Sequence, residues 1–380
     1  MQAFQHPISR PESGASTHLA SFHFGAPEAG KKVYIQAALH ADEVPGMLVA
    51  QCLRTELAAL EAQGRLRGEI ILVPAANPLG LAQAIHGAPF GRFDLSTGTN
   101  FNRAYKHVAQ DLMAALEGKL GPDVDANIAL VRVHARASVA RWQPASDAEA
   151  LKKILLGLAI DADIVLDLHC DNEAVLHIYT GTPLAEAVAP LAALMGAHAV
   201  LLALEAGGEP FDEACSRLWW DLAAHFGPQF PLAPACLACT VELRGEMDVS
   251  YELARQDAQA LLQFLAHSGV IDLPPGLPHG LPSSALPAPR CQPTPLEGVE
   301  PILAPHAGVL VFLAQLGERV GAGAAIADLI DPVSGATTTL RASVDGVFFA
   351  RTAHRHLLRG MSVGKIAGAR AFRVGQLLSQ

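Results

Sequence analysis

Charge is scarce in this chain. Asp, Glu, Lys and Arg make up only 17% of its 380 residues, acids outnumber bases 37 to 27, and the net charge is −10. Nucleic acid and anionic membrane both need clustered cations, so neither is expected as the main partner. A small anionic substrate stays open, because a few arginines in one cleft create a local positive field. Cysteine is also sparse: six in a chain this long form no disulfide framework. Cys236-Leu237-Ala238-Cys239 has no second pair and reads as buried thiols in a strand. Met1-Gln2-Ala3-Phe4-Gln5-His6-Pro7 has neither the basic start nor the apolar core of a signal peptide. The most apolar stretch, Ala185 to Leu204, is broken by Glu186, Pro190, Gly196 and His198, which argues against a membrane span. A reducing cytoplasm is the expected location.

Apolar residues, by contrast, make up 51% of the chain, enough for a substantial core. Short apolar runs at Val33–Leu39, Ile70–Pro74, Ile164–Leu168, Ala199–Leu204 and Cys236–Leu243 predict strands. Between them lie amphipathic segments at Met47–Ala62, Ala148–Leu158, Leu184–Met195, Phe211–Ala224 and Tyr251–His267. Such alternation predicts an α/β domain over residues 1–272, its mostly parallel or mixed sheet covered by helices. Arg103–Arg141 reads as helical, a lobe or a lid over the site. Prolines crowd residues 273–301 and predict a semi-extended linker. Residues 302–380 change to strand-and-turn patterning. There Ala304-Pro305-His306-Ala307-Gly308-Val309-Leu310 is echoed by Ala342-Ser343-Val344-Asp345-Gly346-Val347-Phe348, which predicts a small all-β barrel of two halves. This part resembles the biotinyl/lipoyl carriers, but the corresponding stretch Asp331-Pro332-Val333-Ser334-Gly335-Ala336-Thr337 has no lysine to carry a cofactor. It is therefore read as a structural or assembly module, which makes a homo-oligomer attractive.

The chemistry concentrates at strand ends, where open α/β sheets place their ligands. His40-Ala41-Asp42-Glu43 follows the first apolar run and leads into Val44-Pro45-Gly46. An imidazole and a carboxylate three residues apart can close on one metal ion, and hydrolytic zinc often takes two His and one Glu. Asp167-Leu168-His169 supplies a candidate third ligand at a second strand end. Taken alone, H-x-x-E recurs by chance, and Glu43 also suits the start of a helix. Asp42, Asp167 and Asp171 are candidates to orient a ligating imidazole, with Asp167 on the same strand face as His169. Glu173 is a rival acid, and His177 reads as a core or cleft-wall residue. His306, His354 and His356 read as structural or surface.

With His40 and Glu43 first and His169 between, the ordered set Asn77-Pro78, Gly91-Arg92-Phe93, Asn100-Phe101-Asn102-Arg103 and Thr240-Val241-Glu242-Leu243 resembles the succinylglutamate desuccinylase/aspartoacylase family. That family belongs to the wider zinc carboxypeptidase group. The resemblance spans roughly Val33 to His267. It implies one zinc per chain, held by His40, Glu43 and His169. It also implies a catalytic glutamate at Glu242 and an arginine at Arg92 that polarises the scissile carbonyl. Asn102 and Arg103 match the pair that grips a substrate carboxylate. The interval from Arg92 to Arg103, with Ser96-Thr97-Gly98-Thr99, is longer than in aspartoacylase.

The implied activity is zinc-dependent removal of an acyl group from a small N-acyl amino acid of the N-acetyl-aspartate, N-succinyl-glutamate or N-acetyl-diaminobutyrate type. Glu242 would take a proton from the attacking water and return it to the departing amine. Arg244, just past Glu242, is a candidate for a second acid group on the substrate. Asp171 and Glu173 would suit a basic one. Two other readings share these residues: a zinc carboxypeptidase acting on peptides, and a non-catalytic binding protein on the same fold.

Overall fold

The computed structural model describes residues 1–9, 14, 16–27, 29–273 and 286–378. The chain opens with β1 (Gln2–Pro7), β2 (His18–Phe24), β3 (Lys32–Ala37), α1 (Pro45–Ala62) and β4 (Glu69–Val73). A crossing region follows, made of α2 (Pro78–Leu81), the small hairpin β5 (Ala84–Ile85) and β6 (Ala88–Pro89), α3 (Ala109–Leu116), α4 (Val124–Arg141) and α5 (Asp147–Ala159). Then come β7 (Ile164–Asp171), β8 (Glu173–Ala174), β9 (His177–Gly181), α6 (Ala185–Met195), β10 (Ala199–Ala203), α7 (Phe211–Phe226), β11 (Leu237–Gly245) and α8 (Tyr251–His267).

These strands build one mixed sheet of nine in the order β1-β2-β4-β3-β7-β11-β9-β10-β12, where β12 is Thr294–Pro295. The β4-β3-β7-β11 centre is parallel, and β11 meets β9 antiparallel. The expected central strands and helices are present with ends moved by a few residues. The sequence reading missed β1, β2 and the buried β9. Five of the six β1 residues are exposed, so no core-facing alternation marks that strand.

Strand alternation sorts side chains onto two helical layers. Val33, Ile35 and Ala37 of β3, Leu166 and Leu168 of β7 and Val241 of β11 pack with Leu53 of α1 and Leu261 of α8. Tyr34, Val165 and Ala238 point the other way, onto Leu112 of α3, Leu155 of α5 and Leu218 of α7. The second face also receives Gln36, Asp167, His169 and Glu242 by the same alternation. The 103–141 segment is thus a layer packed against α5 and α7, and none of residues 104–141 lines the site cavity described below. Of the two possibilities the sequence left open there, a lobe or a lid, the segment is not a lid over the site.

Of the expected linker, residues 274–285 lie outside the described residues. Its later part is not free chain, because Thr294 and Pro295 pair with Leu201 and Leu202 of β10. Beyond it are β13 (Val299–Leu303), β14 (Gly308–Phe312), β15 (Arg319–Val320), β16 (Ala325–Ile330), β17 (Thr337–Arg341), β18 (Gly346–Arg351), β19 (His356–Leu357) and β20 (Ser362–Gly368). They form two antiparallel sheets, β13-β20-β18-β15 and β17-β16-β14-β19, that share a core of Ile302, Leu310, Leu329, Phe348, Val363 and Ile366. This β unit is joined to the large domain through β8, whose Ala174 and Glu173 pair with Ala350 and Arg351 of β18.

Candidate active site

The polypeptide leaves β3 into a tight turn. Ala38 has φ 58°, and His40 and Glu43 follow before Pro45 opens α1 at the position where its missing N–H costs least. Gly91 lies so close that a Cβ there would stand 2.2 Å from the Asp42 nitrogen, so only glycine fits. Its carbonyl accepts the Ala41 N–H at 3.1 Å, fixing the turn to the loop that carries Arg92. Asn77 caps α2 by accepting from Gly80 and donates to the Leu39 carbonyl at 2.9 Å. The Asn77-Pro78 pair therefore braces the turn from the other side.

His40, Glu43 and His169 converge, each 3% exposed or less. One Glu43 oxygen, Oε1, stands 2.8 Å from His40 Nδ1, and Oε2 stands 2.7 Å from His169 Nδ1. Potential ligand atoms of the three all lie within 4.8 Å of one another. The outer ring nitrogens are held elsewhere. His40 Nε2 faces Asn100 Oδ1 at 2.8 Å, and His169 Nε2 lies 3.0 Å from Asp167 Oδ2, though out of line for a good hydrogen bond. Asp167 is itself held by Gln36, whose Nε2 donates to it at 2.9 Å. Asp167 is thus the imidazole-orienting acid; Asp42 makes no hydrogen bond to either ring, and Asp171 pairs with Lys365 at 2.6 Å.

This donor set suits a cation. Burial, reinforced by the Arg92 charge, holds His40 down to about 4, so its ring is neutral near pH 7. Asn100 Oδ1 already accepts the Asn102 N–H, so it takes the single ring proton from His40 Nε2. The His40 Nδ1 lone pair then faces a carboxylate oxygen at 2.8 Å, an arrangement that a positive charge between them would relieve. Burial opposes ionisation of His169, but Asp167 and Glu43 together outweigh it and raise its pKa well above the usual value. Two imidazoles and one carboxylate, with the His40 ring anchored by Asn100 and the His169 ring facing Asp167, are the donors a hydrolytic metal takes.

Glu242 ends the same face of β11 and is the register partner of His169 across the parallel β7–β11 pair. Its Oε2 is buried without a hydrogen-bond partner, and burial, then Glu43, push the carboxyl up to about 8. Arg92 Nη2 donates to Glu43 Oε1 at 2.6 Å, so its guanidinium stands at the edge of the cluster. Asn102 accepts the Phe211 N–H on Oδ1 at 2.9 Å, which leaves its NH2 end to donate. The backbone beneath Asn102 and Arg103 is pinned by Lys152 of α5. Its ammonium, 2% exposed as a residue, donates to the Arg103 carbonyl at 2.7 Å and the Asn100 carbonyl at 3.2 Å. Nothing in the sequence marked Lys152, because a lysine inside an amphipathic helix ordinarily faces water.

His40, Glu43, Arg92, Asn102, Arg103, His169 and Glu242 border one cavity of about 350 Å3. Its floor is the strand-end cluster, and one wall is the start of α7. Its roof comes from the β unit: Arg351, Thr352, His354, Met361, Ser362 and Lys365. His354, read from sequence as structural or surface, borders this cavity. Arg244 does not. Alternation along β11 would place it beside Glu242, but the register shifts between Glu242 and Gly245, and Arg244 adopts φ 70°. The guanidinium swings to the opposite layer and pairs with Asp257 of α8 through both arms. Glu173 is likewise taken, by Arg351 and Arg355 at 2.6 Å each. His177 is fully buried between Tyr179 and Phe349, and Cys236 and Cys239 are free buried thiols.

Residues 29–119 match the family model of the succinylglutamate desuccinylase/aspartoacylase catalytic domain. Over those residues the chain is similar to the succinylglutamate desuccinylases and aspartoacylases. A member from Shewanella amazonensis is 28% identical with TM-score 0.79, over 97% of this chain and 98% of its own. One from Shewanella frigidimarina is 26% identical with TM-score 0.81, over 97% of both chains. The product-bound ectoine utilization protein EutE (DoeB) of Ruegeria pomeroyi shares the fold, at 17% identity and TM-score 0.64 over 96% of this chain and 95% of its own. No curated protein matches the sequence. Members of the family are hydrolases, and they act on small acylated amino acids. No helix among the described residues is long and apolar enough to cross a membrane.

Proposed function

We propose that this protein is a zinc-dependent amidohydrolase that releases the acyl group from a small N-acyl amino acid. The observation that carries the reading is the buried His40–Glu43–His169 cluster, with Glu242 in register beside His169 at the floor of a roofed cavity. A zinc ion held by that cluster supplies Lewis acidity and makes water acidic enough, with a pKa near about 7, to yield a nucleophile at neutral pH. The chain's own residues do the rest.

Glu242 takes a proton from the attacking water as its oxygen adds to the amide carbon. It returns that proton to the nitrogen as the C–N bond breaks, so that a carboxylic acid and an amine leave. The unpartnered Oε2 of Glu242 is available for this exchange, and the raised pKa of the carboxyl suits a group that must both take and give a proton. Arg92, released from Glu43, faces the developing oxyanion, where a prepositioned cation acts most strongly. Arg103 binds the substrate carboxylate with its planar fork, helped by the NH2 of Asn102. The roof favours a small substrate over a polypeptide, because Arg351, His354 and Lys365 occupy the side on which a longer chain would have to continue. In this reading residues 1–272 are the hydrolase domain, and 302–380 serve it as a cover.

Two measurements test the proposal. Elemental mass spectrometry of purified protein should find about one zinc per chain, the stoichiometry of a two-His, one-Glu site. Zinc-loaded enzyme should hydrolyse N-acyl amino acids faster than dipeptides or longer peptides. Glu242→Gln should retain zinc and lose about 10²–10⁴-fold in turnover. Preferential peptide cleavage, or a fully active Glu242→Gln, would overturn it.

A further inference from the structure

Behind the metal-ligand cluster, polar side chains continue into the core of the sheet. Tyr34 and Gln36 lie two residues apart on β3, so both point to the second face. Gln36 is the register partner of Asp167 on β7. Tyr34, Gln36 and Asp167 are all fully buried. Tyr34 Oη donates to Gln36 Oε1 at 2.8 Å, and Gln36 Nε2 donates to Asp167 Oδ1 at 2.9 Å. Asp167 Oδ2 has no hydrogen-bond partner and stands 3.0 Å from His169 Nε2. One polar line therefore runs from the middle of the sheet to an imidazole of the candidate metal centre.

The direction of that line is forced. A carboxylate only accepts, so Gln36 must turn its NH2 to Asp167 and its carbonyl to Tyr34. The Tyr34 hydroxyl then satisfies that carbonyl by donating. Without the hydroxyl, the amide keeps its bond to Asp167 only by leaving a buried oxygen bare, which is costly. Packing does not call for these groups, because apolar side chains of similar size would fill the same space without being desolvated. Tyr105 supplies the comparison. It belongs to the same core and packs on Phe211 with ring centroids 5.2 Å apart, against 5.7 Å for Tyr34 and Phe211. Its hydroxyl is buried with no hydrogen-bond partner. Two buried tyrosines thus share one aromatic neighbour, and of these two it is Tyr34 that is tied to the line ending at His169.

We propose that Tyr34 and Gln36 are positioning residues for the metal: they hold Asp167 with its free oxygen towards His169 and so set how tightly zinc is kept. This rests on the zinc site of the proposed hydrolase and extends it to two residues outside the cavity lining. A ligating imidazole is oriented by the partner of its outer nitrogen, and that partner is in turn only as fixed as its own hydrogen bonds. Gln36 holds one Asp167 oxygen, and Tyr34 holds Gln36 in the orientation that lets it donate.

The test is the zinc affinity of the full-length protein, measured by competition with a chromophoric chelator, beside the melting temperature of the zinc-free protein. Tyr34→Phe removes one oxygen and should weaken zinc binding about 10-fold. Gln36→Leu should weaken it by up to about 100-fold, the upper end for loss of an outer partner of a metal ligand. Tyr105→Phe removes a hydroxyl as deeply buried and should leave zinc affinity at the wild-type value. A merely structural role for Tyr34 would move the melting temperature and leave zinc affinity alone. Unchanged affinity in Tyr34→Phe or in Gln36→Leu, or an equal loss in Tyr105→Phe, would overturn the positioning role while leaving the hydrolase reading intact. If one of the first two variants does not fold, the other decides. Wild-type protein that takes up no zinc would overturn both.

Discussion

The floor of the cavity comes from the ends of β3, β7 and β11, whereas its roof comes from β18, β20 and the turn between them, far along the chain. On the floor, His40, Glu43, Asp167 and His169 are all 3% exposed or less, and Glu43, Asn100, Gln36 and the Cys170 N–H tie them by hydrogen bonds. The roof is joined to the large domain by the β8–β18 pairing and by buried apolar contacts of Ala174, Leu201, Leu296 and Phe349, with ion pairs at its edge, Glu173 with Arg351 and Arg355 and Asp171 with Lys365, all partly exposed. Buried networks are rigid and intolerant of a missing member, while exposed ion pairs contribute modestly and can be re-formed. In the proposed function the contrast puts bond-breaking chemistry on the buried floor and selection of what enters at the partly exposed edge of the roof.

The largest effect is expected from breaking the floor. Glu43→Ala removes the residue that touches His40, His169, Arg92 and the Cys170 N–H at once. Zinc should fall from about one per chain to background, and hydrolysis should vanish with it, by elemental analysis and activity assay. Retained metal with a dead enzyme would move Glu43 out of the ligand set. A smaller effect is expected at the roof. Arg351→Ala combined with Arg355→Ala strips Glu173 of both partners and loosens the cover. Zinc should remain bound, KM for the small substrate should rise about 10-fold, equivalent to roughly 1.4 kcal/mol, and cleavage of longer peptides should rise relative to it. An unchanged KM and unchanged size preference would show that the roof does not select.

The smallest catalytic effect is expected behind the floor. Arg244→Ala should leave kcat/KM unchanged, because its guanidinium is turned to α8. Stability should fall by about 1–3 kcal/mol, the cost of leaving buried Asp257 unpaired. Denaturant titration beside a steady-state assay checks this, and a raised KM for dicarboxylic substrates alone would return Arg244 to the cavity.

The same contrast separates what could be read along the chain from what could not. His40 and Glu43, and Asp167 and His169, stood out because strand periodicity and strand ends are local properties, whereas the role of Glu242 was implied by the family resemblance. The period of two correctly put Asp167 and His169 on one face, and the helical segments were visible from their apolar spacing. Arg244 broke the same rule of alternation, since one bulge and one residue with positive φ reverse a side chain without leaving a mark in composition. Whether 103–141 forms a lobe or a lid was not legible in the sequence; in the structure those helices cover the sheet.

The order of ligand-bearing strands, the alternation that aims their side chains and the apolar faces that bury them were determined by sequence alone, because each depends on residues within a few positions of one another. Only the tertiary structure decided that Lys365 meets Asp171 across 194 residues, that His354 borders the cavity, that Lys152 supports the Asn100–Arg103 backbone and that Glu213 keeps one oxygen bare. Those contacts arise from how the β unit docks and how helices stack on the sheet. Docking is set by the fit of whole surfaces, which no short stretch of sequence contains.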